Sequence, residues 1–538
     1  MIFKLFENFG IYDCILFLTA MLMTYVAYYY YKYFTRINSL PGPFPFPFVG
    51  NLPQILWFKG NIIMFYDYCY EKYGGIYEFY SVNMRFIILC REKYLENILS
   101  KNTHAMKFPK CEGTEELGLY GKGLTFNNNY KSWMFNNHFF NQAILSPKFT
   151  NEAIKQTNKL FNELESYWIK LFLKEEIIRE HKNKLDFSEW FYHYTNDFII
   201  KLLTGKRSYS MAAYFDTLSD EKTDYPSAIV EDSVRLFEAL RRLVMGYSVF
   251  FVVPSFIRHN VPFVRKKVDE IKQTLNYVNQ RLDELIKNRR QEIEYTPLNE
   301  SLSYDMLTSM IIKNTIRDNN YIETGEAMRS MTDAEICLSI YEAISGGTFK
   351  TGNLLSFIVY YIVCNPDVKK KMLKEIDNVF QGDKRRPITK DDFYSLNYCE
   401  AIVKETARII PVVHSFTRYI DKPNKTGEYH WPADSLFLIY SKAIHNNDEY
   451  WEEPNKFNPD RWMVENFEPK KNSFLMFGGG LRLCPGRKLS MTGIVCLMAL
   501  MFRKYEINLV DMNNPIKITS DGSIIKCLNL IVEIRPRN

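Results

Sequence analysis

Phe477-Gly478-Gly479-Gly480-Leu481-Arg482-Leu483-Cys484-Pro485-Gly486 is the stretch whose reading decides the fold. A cysteine closes a glycine-rich loop, with an arginine two residues before it. The apolar stretch Leu489 to Phe502 follows directly and predicts a helix. A thiolate near a helix N-terminus is favoured by the dipole and by free backbone N–H groups. Glycines let the backbone approach a flat ligand without Cβ clashes. Arg482 offers a guanidinium fork that suits a carboxylate.

Those properties are what a Cys-ligated heme iron requires, with Arg482 on a propionate. The stretch resembles the heme-binding signature of the cytochrome P-450 family, Phe-x-x-Gly-x-Arg-x-Cys-x-Gly. Phe477, Gly480, Arg482, Cys484 and Gly486 occupy its fixed positions. A glycine turn beside a buried cysteine would explain a lone Gly-x-x-Cys, but not this set and the further matches at the family's distances. The resemblance implies heme b (iron protoporphyrin IX), with Cys484 as the axial ligand of its iron. It also implies a mainly α fold with small β-sheets, an α+β architecture, behind an N-terminal transmembrane helix.

The hydrophobic share of 46% and aromatic share of 16% in 538 residues support one large core. Ten cysteines show no C-x-x-C pair and no regular spacing, which excludes a secreted disulfide framework and fits a reducing compartment. A net charge of +6 is mild and gives no sign of nucleic-acid binding, though it leaves room for a basic patch facing an acidic redox partner.

Cys14 to Tyr31 is an uncharged apolar run. As a helix it spans roughly 27 Å, close to a hydrocarbon core of ~30 Å. Tyr28 to Tyr31 suit the headgroup region, and Lys32 and Arg36 follow, while Lys4 is balanced by Glu7 on the other side. The expected division is a lumenal N-terminus over 1–10, an anchor over 11–31, a Pro-rich hinge over 32–52 and a catalytic domain over 53–538. A cleaved signal peptide fits less well, because the run is long and no small-residue cleavage site follows. Leu40-Pro41-Gly42-Pro43-Phe44-Pro45-Phe46-Pro47 cannot continue a helix and reads as a stiff spacer. Its place before Gly50-Asn51-Leu52 resembles the hinge of microsomal members. The form of Leu40 to Leu52 and of Asn458 to Trp462 looks most like fungal ones.

Helical periodicity dominates from about residue 150, as over Val264 to Glu294, Ala334 to Val363 and Asp367 to Phe380. Strand-like runs sit at Ile76 to Tyr80, Phe86 to Leu89, Ser435 to Tyr440 and Leu528 to Ile534. Leu243 to Phe263 resembles the family's F–G loop; it reads either as a membrane-dipping stretch or as plain core. Pocket-lining loops such as His104 to Asn129 set the substrate.

Glu405-Thr406-Ala407-Arg408 puts an acid and a base on one helix face. Followed by Phe457-Asn458-Pro459-Asp460-Arg461-Trp462 and the cysteine loop, it matches the family's order. The resemblance implies a buried cluster of Glu405, Arg408 and Arg461 that holds the cysteine loop. It also implies propionate contacts from Arg418 and from Trp133, in a segment resembling the family's Trp-x-x-x-Arg motif. The chain departs there: Asn137 replaces the arginine, and His138 beside it reads as a surface histidine.

The larger departure is on the helix expected to cross the distal face. The family pattern is [Ala/Gly]-Gly-x-[Asp/Glu]-Thr-[Thr/Ser]. Leu355-Ser356-Phe357 and Asn365-Pro366-Asp367-Val368 match their family counterparts without a gap and fix the register. This chain reads Gly346-Gly347-Thr348-Phe349-Lys350-Thr351. The two small residues are kept, but Phe349 stands for the acid and Lys350 for the threonine. A slip of one residue would put Thr351 in the alcohol position and forfeit the downstream match. Gly346, Gly347, Thr348 and Thr351 are the candidate catalytic residues.

The resemblance implies a monooxygenase that is a single-pass protein of the endoplasmic reticulum membrane, catalytic domain in the cytosol, using O2 and a hydrophobic small molecule. No flavin or nicotinamide fingerprint is present, so electrons come from a separate protein, which the resemblance implies is an NADPH-dependent flavoprotein reductase, with cytochrome b5 as a further donor. Two other classes stay open. A heme-thiolate isomerase, dehydratase or lyase needs no proton relay. A non-catalytic heme-binding homologue needs no turnover at all.

Overall fold

The computed structural model describes residues 10–100, 106–107, 112–119, 121–175, 184–318, 329–513 and 515–537. Among these, the helices longer than ten residues are α1 (Ile11–Phe34), α2 (Ile62–Tyr73), α3 (Tyr130–Ile144), α4 (Pro147–Glu175), α5 (Phe187–Thr204), α6 (Ser227–Gly246), α7 (Pro262–Tyr295), α8 (Asp333–Cys364), α9 (Pro366–Phe380), α10 (Asn397–Ile409) and α11 (Arg487–Lys504). The three long periodic segments of the sequence are α7, α8 and α9, each within a few residues. The helix predicted over Leu489 to Phe502 is α11.

α1 is long and apolar enough to cross a membrane, and none of its residues is buried. It runs three residues past the expected anchor. Its last turns rest on the Pro-rich segment: Tyr25 stacks on Phe48 at 4.3 Å and Tyr30 on Phe44 at 5.3 Å. Arg36 then pairs with Glu78, which also binds Arg85. The aromatic cluster thus docks the helix on the domain as well as suiting an interface.

α8 and α11 form the buried centre. α8 opens with a capping box: the Glu335 N–H donates to the Thr332 hydroxyl, and the Thr332 N–H donates to the Glu335 carboxylate at 2.9 Å. From Thr492 to Arg503, α11 is buried on every side, as a helix apolar all round must be. α5 crosses α8 closely because Gly347 leaves no side chain in the way. A Cβ there would stand 2.9 Å from Ile199 Cδ1. The Thr195 hydroxyl donates to the Thr348 carbonyl at 2.9 Å across the same contact.

One four-stranded sheet carries Ile76–Ser81, Met84–Leu89, Leu436–Ile439 and Phe416–Tyr419 in that spatial order. The first and last pairs are antiparallel and the middle pair is parallel. The run predicted from Leu528 to Ile534 is two strands. Ile524–Asn529 pairs with Lys517–Asp521, whereas Ile531–Pro536 joins Tyr505–Leu509 and Lys184–Asp186. Leu530 breaks it, because its N–H turns to the Asp186 carboxylate and its carbonyl accepts from the Phe187 N–H. Within Leu243 to Phe263 both readings hold in part: Leu243 and Phe250 are core, while Phe256 and Phe263 are more than 70% exposed.

Candidate active site

The cysteine loop bends where Gly480 adopts φ +69°. A Cβ at Gly480 would also fall 2.6 Å from the Leu99 carbonyl oxygen, so no other residue fits. The loop closes on itself when the Cys484 N–H donates to the Phe477 carbonyl at 3.0 Å. α11 starts three residues later, as the dipole argument requires. Gly486 has an ordinary φ, and a Cβ there would stand 3.8 Å from Cys484 Sγ. It leaves room beside the sulfur and meets no conformational demand. Cys484 is a free thiol, only partly buried.

Glu405, Arg408 and Arg461 meet as the sequence implies. Arg408 donates Nε to Glu405 Oε2 at 2.9 Å and Nη2 to Oε1 at 2.8 Å. Arg461 Nε, Trp462 Nε1 and the Asn458 N–H complete the carboxylate at 3.2, 2.9 and 3.0 Å. The other guanidinium hydrogens go to the carbonyls of His445, Pro454 and Lys456. Both Glu405 and Arg408 are fully buried. Removing either partner would leave a buried charge, at a cost of ~3–5 kcal/mol. The link from this cluster to the cysteine loop is His445, which the sequence alone does not single out. Its Nε2 accepts the Leu475 N–H at 2.7 Å, and Nδ1 donates to the Ala407 carbonyl at 3.2 Å. That geometry needs the neutral ring, and burial pushes its pKa down to about 3.

Arg482 and Arg418 lie at one edge of the space between α8 and the cysteine loop. Arg482 donates to the carbonyls of Leu124 and Asn127, and its guanidinium lies 4.3 Å over the Trp133 ring. Arg418 donates Nη2 to the Gly479 carbonyl at 3.1 Å. Burial and each other's proximity press on this cluster; the Arg418 pKa is lowered by burial and then by Arg482. A third cation, Lys107, was missed. A two-way backbone bridge between Met106 and Tyr419, 2.8 Å each way, sets it beside Arg418. Its pKa is pushed down to about 8, by burial first and then by Arg418 and Arg482. It supplies the positive charge that Asn137 lacks, while His138 is exposed and pairs with Gln142.

The one carboxylate in this cluster is Glu342 on α8, also missed. It accepts N–H bonds from Leu124, Thr125 (2.9 Å) and Phe126 (3.3 Å). Burial, the largest influence, pushes its pKa up to about 7 despite those bonds. An acid beyond the first turn of an otherwise apolar helix was the available signal. The loop over 123–127 is thus held by α8 through its N–H groups and by Arg482 through its carbonyls. Part of the loop from His104 to Asn129 lies outside the described residues.

Two buried arginines and the half-buried Lys107 face one carboxylate among the described residues, an excess of positive charge that the two propionates of a heme would match. The opposing wall has space for a flat group, because a Cβ on Gly346 would meet no atom within 4 Å. The residues present therefore fit a heme whose iron is held by Cys484.

On that wall Gly346 keeps the open space expected of it, while Gly347 is closed off by Ile199. Thr348 is buried with an unpartnered hydroxyl. Thr351 is buried. Phe349 packs between Tyr192 of α5 and Phe237 of α6, each ring 5.8 Å away. Lys350, four residues on from Gly346, shares the open side. Cys484 is the charged group acting on it.

The family model described as Cytochrome P450 matches residues 40–531. Cytochrome P450 3A18 of Rattus norvegicus is 24% identical over 522 residues, 96% of each chain. Cytochrome P450 3A1 of the same species is 24% identical over 541 residues, 97% of each. Cytochrome P450 3A5 of Homo sapiens is 23% identical over 523 residues, 94% of each. With a complete cysteine loop, the Glu405–Arg408 cluster behind it and a match over most of its length, the chain belongs to the cytochrome P450 family of heme-iron oxidoreductases.

Proposed function

We propose that this chain is a membrane-anchored heme-thiolate monooxygenase that oxidises a hydrophobic small molecule with O2. Electrons come from an NADPH-dependent flavoprotein reductase, with cytochrome b5 as a further donor. The cofactor is heme b. Residues 11–31 cross the endoplasmic reticulum membrane, 1–10 are lumenal, 32–52 form the hinge, and 53–538 are the cytosolic catalytic domain. The observation that carries this reading is the pairing of the Cys484 loop with the open side of α8, edged by an excess of buried cations.

A bound heme supplies dioxygen activation at its thiolate-ligated iron. Cys484 Sγ would hold that iron. Lys107, Arg418 and Arg482 would neutralise the propionates, and the Trp133 ring backs the Arg482 guanidinium. Glu405, Arg408, Arg461 and His445 keep the loop rigid, so that the sulfur stays in place. Gly346 leaves room above the sulfur. Thr348, two residues from both Gly346 and Lys350, leaves α8 about 200° round the axis from the open side and lies at the α5 contact, so its buried hydroxyl does not stand where the family uses an acid and an alcohol. Thr351 is the second hydroxyl of this stretch, and Gly347 sets the close approach of α5.

Phe349 and Lys350 favour one second reading, an O2-independent isomerase, dehydratase or lyase, which needs neither relay nor reductase. Purified holoenzyme with reductase separates the two. The monooxygenase consumes NADPH and incorporates oxygen from O2 into product. Turnover of a hydroperoxide without reductase, with no substrate-stimulated NADPH consumption, would establish the second reading instead.

A further inference from the structure

α8 turns one side toward the Cys484 loop, and that side carries Glu342, Gly346 and Lys350 at intervals of one turn. Beside Gly346 the space is open to at least 4 Å. Lys350 leaves the helix in the same direction, so its chain enters that space. Among the described residues its ammonium makes no hydrogen bond and no ion pair. Glu342, the acid two turns back, is taken up by three backbone N–H groups of the loop over 124–126. It also sits ~12 Å away along the axis. Burial is the dominant influence on Lys350, and the only charge acting on it is Cys484.

An ammonium enclosed among apolar groups without a partner is costly, and a bound anion removes that cost. The surroundings select the kind of anion. A single cation matches one negative charge. Toward the Glu342 end of the same helix the lining is aromatic, with Phe126 stacked on Phe251 at 5.6 Å and Tyr247 edge-on at 6.1 Å. We propose that Lys350 binds the carboxylate of an amphiphilic monoacid whose apolar body runs along α8 toward those rings, on the α8 side of the heme site. This names the substrate class of the active site described above and rests on that reading. It also gives Lys350 a use that a threonine in its place could not serve.

The test is a pair of titrations on the full-length holoprotein in detergent, with decanoate and with decan-1-ol, followed by calorimetry and by the Soret band. A hydrogen-bonded charge pair predicts that decanoate binds the parent protein at least about tenfold more tightly than the alcohol. Lys350→Met should remove that margin and leave alcohol affinity within about twofold, while Lys350→Arg should keep it. Equal affinities on the parent protein, a comparison that needs no variant, would overturn the proposal. So would equal losses for both ligands in Lys350→Met. A nitrogen-ligated spectrum of the parent that disappears in Lys350→Met would also overturn it, because the side chain would then be occupied by iron. A missing carboxylate preference with a normal thiolate spectrum and reductase-driven turnover refutes only the substrate class. Loss of those two properties refutes the function itself.

Discussion

His445 shows how one side chain ties two parts of the site together. Its ring joins the Ala407 carbonyl on α10 to the Leu475 N–H at the start of the cysteine loop, and it does so only while neutral. The folded pKa of about 3 lies below the unfolded value of ~6.5. Between those values the unfolded chain binds one more proton, so stability rises with pH. The contribution is complete above ~6.5 and is lost as pH falls, with a slope of ~1.4 kcal/mol per pH unit. His445→Gln should therefore unfold with a pH dependence shallower by that slope between about pH 6 and 4. Denaturant titrations at several pH values measure it, and parallel slopes for parent and variant would remove the role given to the ring. Phe349 carries the converse lesson. The sequence marks it as a lost acid, but its ring lies between Tyr192 and Phe237. Restoring an acid there would bury a carboxylate among aromatic rings, so changes at this stretch are best made at Lys350.

At the level of elements, the cysteine loop was legible because its chemistry is local: glycines, arginine, cysteine and helix start are consecutive. The Glu405–Arg408 pair was legible for the same reason, at one helical turn. Lys107 and Glu342 were not. Lys107 reaches Arg418 only through a backbone bridge between Met106 and Tyr419, and Glu342 reaches a loop more than 200 residues away. No local pattern encodes such contacts. The two glycines of the loop separate conformational need from vacant space. Gly480→Ala forces a side chain into a left-handed φ and against the Leu99 carbonyl, and should cost more than ~2 kcal/mol. Gly486→Ala meets neither obstacle and should fold with near-parental stability. Heme content per purified protein and thermal midpoint decide it. Equal behaviour of the two variants would contradict the loop geometry.

On the scale of the whole molecule, the N-terminal helix and the catalytic body are less separate than the sequence suggests. The proline run reads as a spacer, yet Tyr25, Tyr30 and Arg36 of α1 and its exit pack on Phe48, Phe44 and Glu78. Aromatic side chains of α1 and of the hinge close that contact, which a reading by segments treats as two separate features. Two deletions should therefore differ. Removing residues 1–24 should weaken membrane attachment and leave the thermal midpoint of the holoprotein unchanged. Removing 1–36 should weaken attachment equally and also lower the midpoint, because Glu78, 2% exposed, loses one of its two arginines. Carbonate extraction and thermal scans report the two effects. An unchanged midpoint in the longer deletion would show that α1 hangs free of the domain.

The central claim is that Cys484 is the protein's ligand to a heme iron, and the most direct measurement is the reduced, CO-bound absorption spectrum. The parent holoprotein should give the strongly red-shifted Soret band of thiolate ligation. Cys484→Ala should lose it, while retaining the Glu405–Arg408 cluster and a folded far-ultraviolet circular dichroism spectrum. A red-shifted band that survives in Cys484→Ala, or one absent from the fully heme-loaded parent, would contradict the account.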